Sequence, residues 1–287
     1  MLTIADAVEA LAGTRPATAT VITEAVIDSR HVIPGSLFVA IPGEKADGHD
    51  FIDEAFKRGA SFALTQKDAD ASFRTFDLRA ATPASVAAQE YSVPLCLRVE
   101  NTVTALQQIA RFWRRKLNLR IIGVTGSVGK STTKEMIAEV LATRFRTLKS
   151  PGNLNNEIGL PMTVLRLSEG HQRAVMEMGF YVPGEIAFLC DIALPQVGVL
   201  TNVGTVHAER AGSQEAIFRG KSELPAALPQ DGVAILNFDD PWVRKMEEKT
   251  KARVFFYGLS PEAHLWADQI EGLGLDGIRF RMHYNKE

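Results

Sequence analysis

The sequence predicts an α/β protein: a small N-terminal α/β unit followed by a larger unit with a mainly parallel sheet flanked by helices. Three observations carry this. From Leu119 onward, apolar β-branched runs alternate with amphipathic stretches, the pattern of strands covered on both faces. A glycine-rich loop stands between the first of those runs and the helical stretch behind it. Upstream of Glu90 the runs are shorter and punctuated by Pro and Gly turns. At 287 residues, 46% apolar and 23% charged, the chain has enough apolar mass for one or two sizeable cores. Disordered, collagenous and coiled-coil classes are excluded.

In order along the chain, VITEAVIDSR, SLFVAIPG, SFALTQ and PLCLRV read as short strands, and FIDEAFKRGA as a short helix. TVTALQQIARFWRRKL carries Leu106, Ile109, Ala110, Trp113 and Leu117 at helical spacing. Its basic residues Arg111, Arg114, Arg115 and Lys116 read as a solvated face on a packing helix. LRIIGVTG, RTLKS, RAVMEMG, GVLTNVG and GVAILNF then read as strands of the larger unit. In STTKEMIAEVLATRF, Met136, Ile137, Val140 and Leu141 fall on one stripe, and the hydroxyls of Ser131 to Thr133 open the helix. A seam between Glu90 and Arg120 gives expected domains of 1–99 and 100–287.

Lys+Arg of 32 against Asp+Glu of 34 gives a net charge of −2, so no global basic field exists for nucleic acid or an anionic membrane. Any anion site must be local. Cys96 and Cys190 are far apart in sequence with no metal-ligand spacing, which fits buried free thiols. No stretch reaches the about 18 apolar residues of a membrane span. The expectation is a soluble, cytoplasmic, monomeric protein.

Chemistry concentrates in GVTGSVGKST, residues 123–132. Gly126 and Gly129 let the backbone curl so that amides from Thr125 through Ser127, Val128 and Gly129 can face a polyphosphate. Lys130 can reach terminal phosphates, and Ser131 or Thr132 can place a hydroxyl on magnesium. Val124 stands where the usual spacing has glycine. Glu177 ends an apolar strand where its side chain would face the same crevice. His207, in GTVHAERAGS, could join a second metal position as neutral imidazole, though a lone loop histidine is commonly polar surface. On its residues alone, Lys221 is a surface lysine.

Together these segments resemble the Mur ligase family, ATP-dependent enzymes that extend a UDP-linked peptidoglycan precursor. VTGSVGKSTTKEM resembles its nucleotide loop, valine included. DSRHVIPGSLFVAIPGEKADGHDFI resembles its UDP-binding N-terminal domain, and PGNLNNEIGLPMTVLRL the branch that adds a dipeptide rather than one amino acid. The resemblance implies a P-loop ATPase-like central domain, ATP and magnesium as cofactors, and two substrates: UDP-N-acetylmuramoyl-tripeptide and D-alanyl-D-alanine.

Residue by residue, it implies Lys130 as the phosphate lysine, Ser131 and Glu177 as magnesium ligands, and His207 as ligand of a second magnesium. It recasts Lys221 as a lysine carbamylated into an anion that supports magnesium. Ser29 and Arg30, with Lys45 and His49, fall on the uridine diphosphate side. Asn155 and Asn156 fall in a substrate-facing loop, and Asn237 and Asp239 near the nucleotide. The implied reaction proceeds through an acyl phosphate. The family's C-terminal Rossmann-like domain is absent from this sequence, so the chain alone is expected to be inactive in ligation. The alternatives are a sibling ligase adding one amino acid, a non-catalytic precursor-binding module or subunit completed by another chain, and a plain P-loop phosphotransferase or GTPase.

Overall fold

The computed structural model describes residues 1–204 and 213–284. The chain divides into two compact units, Met1–Asn118 with Pro161–Gly170, and Leu119–Leu160 with His171–Glu287. No helix among the described residues is long and apolar enough to cross a membrane.

The first unit opens with α1 (Ile4–Ala12), started by a reciprocal Thr3–Asp6 capping box and ended at Gly13 in the left-handed region. Five short strands follow: β1 (Ala25–Val26), β2 (Leu37–Val39), β3 (Phe62–Thr65), β4 (Thr75–Asp77) and β5 (Leu95–Arg98). They form a parallel sheet of order β1-β2-β3-β5-β4. Residues 62–65 are buried without alternation, as strands covered on both faces must be. Helices α2 (Ile52–Lys57), α3 (Pro83–Ala88) and α4 (Thr102–Lys116) connect and cover them. Asn101 caps α4, whose Leu106, Ile109, Ala110 and Trp113 are buried. One of the sequence expectations fails here, at Arg114, while Arg115 and Lys116 stay exposed as expected. Arg114 is buried rather than on a solvated face, donating to the Leu117 carbonyl at 2.9 Å. Lys116 bridges to Asp6 and Glu9 of α1 at 2.9 and 3.0 Å.

The second unit contains β6 (Arg120–Thr125), α5 (Lys130–Ala142), β7 (Thr147–Lys149), β8 (Arg173–Glu177), α7 (Glu185–Ala193) and β9 (Val197–Leu200); α6 (Gly159–Leu165) begins in it and continues into the Pro161–Gly170 segment of the first unit. After these come α8 (Gln214–Lys221), α9 (Glu223–Ala226), β10 (Val233–Asn237), α10 (Pro241–Arg244), β11 (Arg253–Gly258), β12 (Leu265–Gly272) and β13 (Ile278–Tyr284). The eight strands run β13-β12-β11-β10-β9-β6-β8-β7. All neighbours are parallel except the β12–β13 hairpin. Ile122 and Val124 of β6, Val175 of β8 and Val199 of β9 form a core with Ala138 of α5.

The expected stripe on α5 is half right. Ile137 and Leu141 pack on that core, whereas Met136 and Val140 are exposed. The face that meets the core runs through Ile137, Ala138 and Leu141, and Lys134 on the same helix is also buried. Helix α5 also starts differently. Gly129 is its N-cap, in the left-handed region, with no side-chain cap.

Because the chain leaves β6 for β7 on one side and later returns to β9 on the other, the strand order reverses around β6. Such a switch point opens a crevice beyond the carboxyl ends of the strands. Thr125, Glu177, Leu200 and Asn237 are the last residues of β6, β8, β9 and β10.

Candidate functional site

The loop leaving β6 is fixed by a close backbone approach. A Cβ on Gly126 would lie 1.8 Å from Thr201 Oγ1, so only glycine lets the loop pass the end of β9. Thr201 Oγ1 donates to the Val128 carbonyl at 2.6 Å, and Asn202 receives the amides of Ser127 on its carbonyl and Val128 on Oδ1, both at 3.0 Å. Two loop amides are therefore occupied by Asn202. The first amides of α5, which have no acceptor within the helix, remain as the anion-facing set. Lys130 Nζ folds back on the carbonyls of Gly126 and Ser127, at 3.0 and 3.3 Å. An arriving phosphate would displace it from these neutral acceptors to a charged one.

Glu177 is the hub of the crevice, 2% exposed. Its Oε2 accepts from Ser131 Oγ at 2.8 Å, and its Oε1 from Asn155 Nδ2 at 2.8 Å. The Ser131 hydroxyl, two positions past the Gly129 N-cap, is thus committed to Glu177. Among the described residues no group of three or more acidic, histidine or cysteine side chains converges on one point. A cation here would meet one carboxylate and one hydroxyl, an all-oxygen pair suited to a hard ion that retains water. His207 lies outside the described residues.

Lys221 overturns its surface reading. It is 2% exposed and ends α8 with Nζ 5.1 Å from the centroid of the Phe180 ring. The preceding Gly220 makes this possible, since a Cβ there would stand 1.8 Å from a Phe180 ring carbon. Burial, aided by the positive charge of Lys130, pushes the Lys221 ammonium down to about 7. An amine so placed is substantially neutral at physiological pH.

The remaining residues of this unit are employed mostly by backbone. Asn237 donates Nδ2 to the Thr201 carbonyl at 2.8 Å and accepts the Asp239 amide at 3.0 Å, while Asp239 accepts the Leu259 amide at 2.7 Å. They tie the ends of β9, β10 and β11 together. Asn156 Oδ1 accepts the Gly159 amide at 2.8 Å and so starts α6. Asn155 alone of that pair reaches Glu177.

In the first unit, Ser29 and Arg30 line a cleft of ≈ 630 Å³ together with Asp28, Phe51, Glu54 and Arg58. Asp28 caps the short 3-10 turn Ser29–His31 and grips the Arg30 guanidinium through Nε at 2.9 Å and Nη2 at 2.6 Å. The Arg30 bond holds the Asp28 carboxyl far below its usual range. The Arg30 side chain stays 77% exposed, so its far edge is open to an anion. Ser29 donates to Glu54 Oε2 at 3.0 Å, and Arg58 to Glu54 Oε1 at 2.8 Å. Lys45 is exposed and does not line the cleft. His49 also stays out of it: Nδ1 sits 2.5 Å from Asp47 Oδ1, and Nε2 accepts the Gln66 amide at 3.1 Å.

Sequence reasoning passed over Glu54, Arg58 and Phe51 in the cleft, and Thr201, Asn202 and Lys134 around the phosphate loop. TNVG directly after an apolar strand was the available signal for Thr201 and Asn202. Nothing local marked Lys134.

The comparisons with known proteins agree on one family. Residues 124–286 match the Mur ligase middle domain, and residues 21–114 the domain described as Mur ligase family, catalytic domain. The chain is 40% identical over 253 residues to the UDP-N-acetylmuramoyl-tripeptide--D-alanyl-D-alanine ligase of Synechocystis sp., covering 88% of this chain and 52% of that one. It is 40% identical over 222 residues to the enzyme of the same name from Bacillus subtilis, covering 77% and 45%. MurF from Acinetobacter baumannii superimposes with a TM-score of 0.76 at 29% identity, over 97% of this chain and 60% of that one. MurF ligase from Thermotoga maritima in complex with ADP gives 0.75 at 31% identity, over 92% and 56%. The chain spans about half the length of the curated relatives it matches. With a family domain matched across more than half of its residues, and a glycine-rich loop, a strand-end carboxylate and a buried lysine in that same domain, the chain belongs to the Mur ligase family.

Proposed function

We propose that this chain supplies the precursor-binding and nucleotide-binding parts of an ATP-dependent ligase that joins D-alanyl-D-alanine to UDP-N-acetylmuramoyl-tripeptide. The observation that carries the nucleotide half is Ser131 Oγ on Glu177 Oε2, 2.8 Å apart at the start of the helix that follows the phosphate loop. The relatives named above, and the ADP in the Thermotoga maritima structure, support the same reading.

A carboxylate is a poor acylating agent. In the proposed reaction the tripeptide carboxylate attacks the γ-phosphorus of ATP, the bond to ADP breaks, and an acyl phosphate forms. The amine of D-alanyl-D-alanine then attacks that carbonyl and phosphate leaves. The amides of α5 and Lys130 would bear the phosphate charge. Ser131 and Glu177 would hold magnesium, with His207 at a second position; the ion supplies neutralisation of phosphate charge. Lys221, with its lowered proton affinity, is suited to add through its neutral amine to CO2, losing a proton to give a carbamate anion. Arg30 and Ser29 would receive the diphosphate side of the precursor. Work on a UDP-linked intermediate of this kind is consistent with a cytoplasmic enzyme.

Calorimetric titration tests this with UDP-N-acetylmuramoyl-tripeptide and, separately, magnesium-ADP, on the wild type, Arg30→Ala and Lys130→Ala. The reading expects each variant to lose one ligand only. Nucleotide binding with no precursor binding in the wild type would replace it with a generic P-loop phosphotransferase.

A further inference from the structure

We propose that Lys134 is a positioning residue: it holds the segment 150–155, and through it the Glu177 carboxylate, in register with the phosphate loop. The inference rests on the nucleotide and cation reading above and deepens it.

Lys134 lies one turn beyond Lys130 on α5 and is 1% exposed. Its ammonium is fully bonded, to the Ser150 carbonyl at 2.8 Å, the Gly152 carbonyl at 3.0 Å and Glu135 Oε1 at 3.1 Å. Burying an ammonium is costly even when it is fully bonded, and an apolar side chain of the same length fills such space at lower cost. Packing therefore does not account for a charge at this position.

The two carbonyls it holds belong to the segment that leaves β7. Ser150 is itself completely buried, and its Oγ accepts the Glu177 amide at 3.2 Å. Further along, Asn155 donates Nδ2 to Glu177 Oε1 and accepts the Gly179 amide on its carbonyl, both at 2.8 Å. The residue after Met178 must be small for this: a Cβ on Gly179 would come within 2.9 Å of Asn155 Oδ1. The segment thus grips Glu177 by backbone and by carboxylate. The other carboxylate oxygen accepts Ser131 Oγ, on the same helix as Lys134.

The bonds close into a ring that runs from α5 through Lys134 to the segment 150–155, on to Glu177, and back through Ser131 to α5. Within it the carboxylate is confined to one orientation before any ligand arrives. Outer partners of this kind commonly set how well a cation ligand performs. The consequence falls on the cation, not on the phosphate loop amides, which Lys134 does not touch.

The test uses the whole chain with Lys134→Met, Ser150→Ala and, as control, Glu135→Gln. ADP affinity is measured in EDTA and across a magnesium series, and amide hydrogen exchange is followed at residues 152–156. In Lys134→Met and Ser150→Ala, the magnesium concentration for half-maximal tightening should rise about tenfold or more, with affinity in EDTA changed by less than about twofold. Exchange at 152–156 should quicken in both, and Glu135→Gln should do neither. Equal loss of ADP affinity with and without magnesium would mark Lys134 as a merely structural support of α5 and overturn the proposal, as would no change. Should Lys134→Met fail to fold, Lys134→Gln, which removes the charge but keeps a polar side chain beside the two carbonyls, is measured in its place and read in the same way. Should the wild type bind no ADP at all, the nucleotide reading falls; unchanged protection at 152–156 in Lys134→Met then overturns this proposal separately, and faster exchange supports it.

Discussion

Ser131 Oγ, in the first turn of α5, lies 2.8 Å from Glu177 Oε2 at the end of β8, 46 residues later in the chain. From the second position of the helix, this hydroxyl donates across the crevice to a carboxylate that is nearly inaccessible to water.

Glu177→Gln keeps the shape of this contact and removes the charge. The expected result is a magnesium-dependent tightening of ADP binding weakened by about tenfold or more, with binding in EDTA preserved. The fold should lose only about 1–2 kcal/mol, since the amide oxygen can still accept one of the two bonds. Calorimetry in the two buffers and a urea melt check both halves.

Gly126→Ala should disable the phosphate loop by contact with Thr201 rather than by loss of any polar group. The built Cβ meets Thr201 Oγ1 at 1.8 Å, and the residue's φ of +153° is itself unfavourable for alanine. A loss of about 1–3 kcal/mol is expected, together with nucleotide binding. Adding Thr201→Ala should recover part of the stability, and a double-mutant cycle measures the coupling.

Lys221 gives a pH dependence of unusual sign. Its proton affinity in the folded state is lowered to about 7 from the ordinary 10.5, so the unfolded chain binds the proton more tightly between those values. Stability should therefore rise as pH increases from about 7 toward 10, and the lysine's burial cost should be fully present below 7. In CO2-free buffer, Lys221→Met should flatten this rise and be more stable than wild type at pH 7. Urea midpoints across that range are the measurement. Bicarbonate should affect only the wild type, with mass spectrometry under neutral conditions showing the gain of one CO2.

Gly220→Ala should displace Lys221 while leaving its side chain itself unaltered. The added methyl would overlap the Phe180 ring, at 1.8 Å from the nearest carbon, and cost about 1–3 kcal/mol. Phe180→Leu in the same chain should restore part of the loss. A lysine returned toward ordinary proton affinity in Gly220→Ala, read by NMR titration, is the expected signature.

Asp28→Asn should weaken binding of uridine diphosphate less than Arg30→Ala does, because the guanidinium remains but loses its bidentate partner. Calorimetry on the two variants orders them. Equal losses would mean that Arg30 works only when held by Asp28.

Much of the architecture was legible because it is periodic. Apolar β-branched runs separated by amphipathic stretches identify a parallel sheet, and the glycines at 126 and 129 identify a strand-loop-helix turn, from short-range chemistry alone. The failures share one cause. Arg114 and Lys221 were read as solvated because lysine and arginine usually are, and Met136 and Val140 as core because they are apolar at helical spacing. The structure reverses all four. Burial depends on what packs against a face, and local pattern does not contain that information. Local pattern likewise gave no sign of the bonds by which Asn237 and Asp239 hold strand ends together, or of those that tie the His49 ring to Asp47 and Gln66.

The sequence by itself therefore determined the alternation of strands and helices, the glycine-rich loop between β6 and α5 and the carboxylate at the end of β8, since these follow from spacing along one chain. Tertiary structure alone decided that Ser131, Lys134, Ser150, Asn155 and Glu177 form one hydrogen-bonded ring, and that Lys221 is buried beside Phe180. Hydrogen bonds and desolvation act over a few ångströms in space, and only the folded sheet brings residues so distant in sequence within that range.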